Sequence, residues 1–297
     1  MKLLLAGASG FLGTAWRDHL ARQGHEVVRL VRGDPMSADE SRWDPYAGRV
    51  DQAVIEDADV VACLSGAPLG HLPWTESYKK TFTDSRVLTT RTLAEAIARS
   101  DGKPAFLAQN GISGYGDSED RILTEQSPFD SPTFMGRVTR AWTDATGAAE
   151  HSGARVVTMR TGVVLGQGGG AFKPLSLLFR AGLGGPVGAG QQYLSTISST
   201  DWVRAATHLA ENVASQGAYN LSGPVPLQNA EFSQTLARML SRPALVRAPA
   251  FVIRAALRDV SSELLGSVRV VPRRLEDEGF VFEHRTQEQI IASALGR

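Results

Sequence analysis

The chain begins with a short apolar run that is followed at once by regularly spaced glycines. Residues 1 to 13 read MKLLLAGASGFLG, so Gly7, Gly10 and Gly13 come directly after a predicted strand and at the start of a predicted helix. The first glycine permits a tight turn, the second lets the backbone approach a pyrophosphate, and the third allows close packing of helix on sheet. The amide groups and positive dipole of the helix N-terminus favour an anion at the same place. This order predicts dinucleotide binding rather than a plain glycine-rich turn.

Short apolar runs alternate with longer helical patterns through the first half of the chain. The predicted strands are KLLLA, EVVRLV, DVVACL, AFLAQ and ARVVTMR, with helices between them that include the stretches around residues 75 to 99 and 134 to 151. Such alternation predicts an α/β protein with a Rossmann-like, doubly wound parallel sheet. Further along, DWVRAATHLAEN and GAYNLSG predict one more helix and strand that return to this sheet.

The pattern changes at about residue 166, where glycine-dense segments surround an apolar helix. We therefore predict a Rossmann domain of residues 1–166 and 198–222, and a smaller, discontinuous substrate-binding domain of residues 167–197 and 223–297. Open α/β sheets bind ligands at the carboxyl ends of their strands, so a cleft between the two domains is the expected site.

The end of the second strand bears on the choice of dinucleotide. NAD selection requires an acidic residue there to accept from the ribose hydroxyl, whereas HEVVRLVRG places Arg32 at that position. Arginine pairs well with a 2′-phosphate, so we predict NADP (NADPH) in preference to NAD. In the alternative, Arg32 is a solvated strand-end residue and Asp34 takes the acidic role.

Composition narrows the class of partner. The 31 basic and 31 acidic residues cancel, and no block of like charge suggests a nucleic-acid or membrane-surface partner. We expect a small-molecule substrate and a monomer or homodimer. The single cysteine, Cys63, lies in an apolar run, which predicts a buried thiol and is consistent with a cytoplasmic protein. The opening apolar run is interrupted too early for a signal peptide, and no window is long enough to span a membrane.

Several later motifs carry a resemblance to a known family. The glycine turn, Leu64-Ser65-Gly66, Gly114-Tyr115-Gly116 and RTGVVLG at 160 to 166 resemble the extended short-chain dehydrogenase/reductase superfamily. More narrowly, SRVLTTRTLAEAI, YGDSEDRILTEQSP and the segments RPALVRAPAFVIRAAL and VRVVPRRLEDEGFVF look like its atypical branch called "epimerase family protein", also labelled nucleoside-diphosphate-sugar epimerase. The resemblance spans nearly the whole chain and implies a two-part fold with a small C-terminal domain.

The usual proton relay of short-chain dehydrogenases is missing from this sequence. That relay is a tyrosine with a lysine four residues later, a spacing that puts both on one face of a helix. Phe134 and Val138 stand where the pair is expected, and none of the five tyrosines has a lysine four positions on. We therefore predict a non-standard relay drawn from Asn110, Ser113 and Tyr115, with packing rather than proton transfer as the alternative for Tyr115.

The remaining site predictions follow from the turn and from the resemblance. Gly168-Gly169-Gly170 before Lys173 forms either a second anion cradle or a flexible connection. The six histidines form no metal-ligand pattern, so no metal site is predicted. The expected substrate contacts are Lys173, Gln192 and Arg269. The expected cofactor contacts are Gly7, Ser9, Gly10, Phe11, Leu12, Gly13, Arg32, Leu64, Ser65, Gly66 and Arg160. A structural role is the alternative for Arg160.

Two functions remain open at the level of sequence. One is an NADP-dependent oxidoreductase or epimerase-like enzyme acting on a small polar or nucleotide-linked substrate. The other is a non-catalytic regulatory protein that senses NADP. Loss of both relay residues favours the sensor, whereas a complete second domain with polar candidate residues favours the enzyme.

Overall fold

A computed structural model describes all 297 residues. The strands are β1 Lys2–Ala6, β2 Glu26–Val31, β3 Glu40–Asp44, β4 Arg49–Val50, β5 Val60–Cys63, β6 Ala105–Gly111, β7 Ile122–Leu123, β8 Val156–Thr161, β9 Val163–Leu165, β10 Tyr193–Leu194, β11 Thr196–Ser198, β12 Gly217–Leu221, β13 Leu227–Gln228 and β14 Arg269–Val270. The α-helices are α1 Phe11–Arg22, α2 Gln52–Glu56, α3 Glu76–Arg99, α4 Phe134–Asp144, α5 Gly147–His151, α6 Phe172–Arg180, α7 Ser199–Glu211, α8 Asn229–Met239, α9 Ala250–Leu257, α10 Ser262–Leu265, α11 Arg273–Asp277 and α12 Gln287–Leu295. Two 3₁₀ turns cover Ile112–Tyr115 and Arg258–Val260.

Eight of these strands form one sheet in the order β12-β8-β6-β5-β1-β2-β3-β4. Strand β1 pairs in parallel with β2 and β5, β2 with β3, and β5 with β6, while β4 is antiparallel to β3. This is the predicted α/β, Rossmann-like sheet. The predicted return of a helix and strand is also confirmed, because α7 leads into β12 at the edge of the sheet.

Both faces of the central strands are buried, which explains why β1 and β5 are almost wholly apolar. Leu4 and Ala6 of β1 belong to a core cluster with residues of α2, α3 and α5. Leu3 and Leu5 point to the opposite face because side chains alternate along a strand. Trp16 of α1 is fully buried, and its indole N–H donates to the Thr207 hydroxyl of α7 at 3.0 Å.

The predicted helix over 134 to 151 is two helices, α4 and α5. The Thr146 hydroxyl donates to the carbonyl of Thr143 at 2.7 Å, and Gly147 follows immediately. A side chain that bonds to the local backbone, next to a glycine with low helix propensity, favours a break at this point.

The backbone contacts divide the chain into two compact units. The first comprises Met1–Asn110, Ala141–Met159 and Val203–Ala218, and the second Gly111–Arg140, Arg160–Trp202 and Tyr219–Arg297. The second unit has its own core, in which side chains of α6, α8 and α12 meet around Phe179, Phe232 and Ile291. The domain boundaries and the cleft expected from the sequence stay predictions.

Candidate functional site

The glycine turn in the first unit leaves no room for side chains at two of its glycines. Gly7 has a φ of +83°, and a Cβ added there would lie 2.7 Å from the carbonyl carbon of Leu64. A Cβ added to Gly13 would lie 2.2 Å from the carbonyl oxygen of Gly7. In each case the added Cβ meets a backbone atom, so no change of side-chain rotamer relieves the clash. Helix α1 thus begins directly against the turn after β1, as a pyrophosphate site of this type requires.

The N-terminus of α1 has no side-chain cap. Gly10 precedes the helix, no side chain bonds to its first turn, and no acidic residue lies there. The Gly10 amide itself donates to the carbonyl of Gly7 at 3.1 Å. Ser9 and Gly10 are exposed, and Phe11 and Leu12 are partly exposed. An uncapped N-terminus of this kind offers N–H groups and a positive dipole to a phosphate.

Leu64, Ser65 and Gly66 form the loop that leaves β5 beside this turn. The Leu64 amide donates to the carbonyl of Ala6 at 2.9 Å, so the loop continues the pairing of β1 with β5. Ser65 is partly exposed and Gly66 is exposed. The structure therefore brings the predicted cofactor residues 64–66 to the glycine turn, at the edge where parallel sheets bind ligands.

Arg32 follows the last residue of β2 and is exposed, with no carboxylate paired to it. The acidic alternative is engaged elsewhere, because Asp34 accepts from Arg42 of β3 at 2.7 Å. Arg42 lies on the neighbouring strand, where it is the register partner of Val31. The positive charge of Arg32 is therefore available to a ligand, whereas Asp34 already has a cationic partner.

The positions of the usual relay are apolar in the structure as in the sequence. Phe134 and Val138 lie on α4, and Val138 is buried. Asn110, predicted to donate to a substrate carbonyl, is also buried, and its amide donates to the hydroxyl of Thr143 at 2.8 Å. This bond holds the end of β6 to α4 and accounts for one of the two amide N–H groups of Asn110.

Tyr115 lies in the second unit with both functions of its hydroxyl satisfied. The hydroxyl donates to Asn220 Oδ1 at 2.8 Å and accepts from Arg160 at 2.9 Å. The ring is buried against Phe129 in an edge-to-face contact with 4.8 Å between centroids. Burial raises the pKa of Tyr115 above its ordinary value, although Arg160 opposes the shift. These contacts favour the packing alternative over proton transfer at neutral pH.

Arg160, predicted to contact the cofactor, makes its observed contacts within the second unit. Its guanidinium lies 3.8 Å from the centroid of the Phe129 ring, and it donates to Tyr115 and to the backbone carbonyl of Glu125. The Glu125 carboxylate accepts from the backbone N–H of Asn220 at 3.0 Å. One carboxylate oxygen of Glu125 and the Nε of Arg160 are buried without a protein partner. A role for Arg160 in cofactor binding stays a prediction.

Ser113 has a partner that sequence reasoning missed. Its hydroxyl donates to the Glu263 carboxylate at 2.7 Å, although 150 residues separate the two. Burial raises the pKa of Glu263, and the Ser113 hydrogen bond only partly opposes this. The structure thus pairs a predicted catalytic hydroxyl with a carboxyl group that is biased towards its protonated form.

The three predicted substrate residues lie in different surroundings of the second unit. The Gln192 amide donates to the carbonyls of Val187 and Leu264, which makes it a brace between two segments. Arg269 stacks over the ring of Tyr193 and donates to the carbonyl of Asp120. Lys173 lines a cavity of about 220 Å³ at the start of α6, together with Arg180, Gln167 and Gly168. Lys173 thus differs from Gln192 and Arg269, whose polar groups bond to backbone carbonyls.

A larger cavity of about 510 Å³ lies at the amino ends of the strands in the first unit, lined by Met1, Asp59, Ala105 and Arg155 among others. Arg155 bonds there to the carbonyls of Leu209, Ala210 and Ser215, so it secures the end of α7. Parallel α/β sheets bind ligands at the opposite, carboxyl edge, and we assign this cavity no function.

Arg86 is a second residue that sequence reasoning missed. It lies on α3 beside Gly66, where a Cβ added to the glycine would come within 3.1 Å of the guanidinium carbon. The available signal was its spacing, because Tyr78, Phe82 and Arg86 recur every four residues and so share one face of the helix. Arginine side chains are mostly exposed, so an arginine on a helix face that also carries buried residues is unusual.

Comparison with known proteins places this arrangement in a family. A model of the NAD dependent epimerase/dehydratase family matches residues 3–222. The chain belongs to this family. A second model, a domain of unknown function (DUF1731), matches residues 248–294, all within the second unit. An epimerase family protein of Mycobacterium leprae is 36% identical over 294 residues, covering 99% of this chain and 95% of the relative.

Two solved structures agree with this assignment. The human epimerase family protein SDR39U1 (isoform2), crystallised with NADPH, superposes with a TM-score of 0.90 at 31% identity, with both chains fully covered. A nucleoside-diphosphate sugar epimerase from Corynebacterium glutamicum superposes with a TM-score of 0.82 at 30% identity and covers all of this chain but 58% of the other. The predicted membership of the epimerase family branch and the predicted fold class are confirmed.

None of the helices combines the length and apolar character needed to cross a bilayer. No group of three or more histidine, cysteine, aspartate or glutamate side chains is arranged to hold a metal ion.

Proposed function

We propose that this member of the epimerase family binds NADPH through its first unit and catalyses hydride transfer on a small polar or nucleotide-linked substrate. The observation that carries the proposal is the glycine turn. Gly7 and Gly13 admit no side chain, and α1 begins directly after the turn without a side-chain cap. This is the arrangement that holds a pyrophosphate in Rossmann-like folds.

The preference for NADPH rests on the end of β2. Arg32 is exposed and unpaired, so it can bind a 2′-phosphate, while Asp34 is already paired with Arg42. The human relative crystallised with NADPH supports the same choice. When bound, the nicotinamide supplies or removes the hydride of the reaction.

The proton of the reaction needs a group other than the missing tyrosine and lysine. Of the three predicted residues, the amide of Asn110 donates to Thr143 and the hydroxyl of Tyr115 donates to Asn220. Ser113 also donates its proton, but its acceptor is Glu263, an ionisable carboxyl whose pKa burial raises and which can return a proton. We assign proton transfer to this pair: Ser113 passes its proton to a substrate oxygen and regains one from Glu263, which is then reprotonated from solvent.

The second candidate function is an NADP-sensing protein without turnover. The absence of the usual relay, together with the satisfied hydroxyl of Tyr115, supports it. Sensor and enzyme share the nucleotide site and differ only in whether the bound cofactor is consumed. The cytoplasmic location and the small-molecule partner remain part of the proposal in either case.

Titration and turnover separate these functions. NADPH and NADH are titrated against the purified protein, and the 340 nm absorbance is followed with a panel of carbonyl compounds and sugar nucleotides. We expect tight NADPH binding and oxidation with at least one substrate. Turnover is expected to fall about a hundredfold in Glu263→Gln and Ser113→Ala with NADPH binding unchanged.

Tyr115→Phe serves as the comparison for proton transfer. We expect it to retain turnover, because its hydroxyl is committed to Asn220 and Arg160. Turnover lost in Tyr115→Phe but kept in Glu263→Gln would return the role to Tyr115. Tight NADPH binding without oxidation across the panel would favour the sensor, and no binding of either nucleotide would refute both functions.

A further inference from the structure

Arg86 carries a positive charge that the folded protein does not neutralise. Its guanidinium donates to the carbonyls of Phe82 and Ala67, each at 3.0 Å, and makes a 3.5 Å contact with the hydroxyl of Ser85. It lies 3.5 Å from the centroid of the Phe82 ring and 5.2 Å from that of Trp142. No carboxylate contacts it.

The surroundings disfavour the charge without removing it. Burial lowers the pKa of Arg86 to about 10, and the hydroxyl of Tyr78, with no help from a carboxylate, only partly opposes this shift. The group is therefore still protonated at neutral pH. A partly buried cation that is held only by neutral oxygens is costly, and an apolar side chain over Phe82 and Trp142 would avoid that cost.

The position of Arg86 indicates where the missing negative charge comes from. Its guanidinium lies against Gly66, in the loop whose first residue, Leu64, touches Gly7 of the glycine turn. Three of its possible hydrogen bonds go to Phe82, Ser85 and Ala67, which leaves two of its five N–H donors, including Nε–H, without a protein acceptor. The unpaired donors therefore belong to a guanidinium that adjoins the loop beside the glycine turn.

We propose that Arg86 is an anion-binding residue, and that an oxyanion of the bound ligand, a phosphate or a carboxylate, supplies its missing counter-charge. The inference builds on the proposed nucleotide site. The anion belongs either to the dinucleotide or to a substrate bound beside it. In both cases the Arg86 guanidinium forms charge-assisted hydrogen bonds to an oxyanion.

The experiment compares wild type with Arg86→Met, which keeps the stacking on Phe82 and removes the charge. Arg91→Met, an exposed arginine of the same helix, is the matched control. We expect one of two results. Either Arg86→Met weakens NADPH binding at least tenfold in calorimetry, or it abolishes the rise in thermal midpoint that inorganic phosphate or acetate, compared with chloride, gives the NADPH-loaded protein. The first result assigns the anion to the cofactor and the second assigns it to a substrate.

Stability without ligand separates binding from a structural role. If Arg86 serves an anion, Arg86→Met keeps or raises the thermal midpoint of the ligand-free protein, because an unpaired charge is removed. Unchanged NADPH affinity together with unchanged anion stabilisation would overturn the inference and leave the nucleotide site standing. Conversely, if wild type binds no NADPH, the same anions are tested on the ligand-free protein. Stabilisation by phosphate or acetate that is present in wild type and lost in Arg86→Met would then refute the proposed function and retain the anion site.

Discussion

At the scale of single residues, two arginines without a carboxylate partner adjoin the edge of the sheet that carries the glycine turn. Arg32 is exposed at the end of β2, and Arg86 is partly buried beside Gly66 and is held only by neutral oxygens. Unpaired cations beside a turn that binds phosphate are what a polyanionic ligand requires.

Arg32→Ala tests the cofactor preference at this scale. We expect the Kd for NADPH to rise about tenfold, because an exposed charge-assisted contact to the 2′-phosphate is lost. The Kd for NADH, which lacks that phosphate, is expected to stay within about twofold. Fluorescence titration of both nucleotides measures the effect, with Arg91→Ala as a control for loss of a surface charge. Equal losses for the two nucleotides would defeat the NADPH assignment.

At the scale of elements, the proposed nucleotide site depends on how closely α1 approaches the turn after β1. Position 13 must be glycine, because a Cβ added there would lie only 2.2 Å from the carbonyl oxygen of Gly7. Trp16 of α1 is buried, and its hydrogen bond to the Thr207 hydroxyl holds α1 against α7. The helix therefore cannot tilt away from the turn without breaking an interior hydrogen bond.

Gly13→Ala is expected to lower the free energy of unfolding by about 1–3 kcal/mol, because a methyl group is forced into a packed backbone contact. NADPH binding should be lost with it, since the amide groups of the turn move. Gly102→Ala is the control, because its added Cβ meets nothing within 4 Å. Chemical denaturation and NADPH titration of both variants measure the two effects. A Gly13→Ala protein as stable as Gly102→Ala would contradict the observed closeness of helix and turn.

At the scale of the whole molecule, burial of Glu263 couples the stability of the fold to pH. The folded state raises the pKa of this carboxyl above the ordinary value of 4.5, so the folded protein holds the proton more tightly than the unfolded chain. The contribution of this proton to the free energy of unfolding is complete at a pH below the ordinary pKa of 4.5, and it is lost as pH rises through the folded-state pKa. Glu263 thus favours folding in acid and disfavours it at higher pH.

Glu263→Gln should remove this dependence. We expect the variant to match wild type at pH 4 and to exceed its thermal midpoint by a few degrees at pH 8, because the amide retains an acceptor for Ser113 and carries no charge. Thermal unfolding across this range measures the difference, and Glu95→Gln on the exposed side of α3 is the control. A constant difference between variant and wild type at every pH would show that Glu263 does not titrate with folding.

The sequence by itself determined the elements of the first unit and their chemistry at the nucleotide turn. Strand, glycine spacing, helix, the basic end of β2 and the return of α7 and β12 are all local signals, set by periodicity over a few residues. That no tyrosine is followed by a lysine four positions later is equally plain, because it depends on residue type alone.

Only the tertiary structure decided which groups those residues meet. Ser113 and Glu263 are 150 residues apart in the chain, and Tyr115 and Asn220 are 105 apart, yet each pair shares a hydrogen bond. Whether a hydroxyl is free, whether a carboxyl keeps its proton and whether an arginine lacks a counter-charge all depend on burial and on distant partners. Those quantities arise when remote segments pack, and no local pattern of residues encodes them.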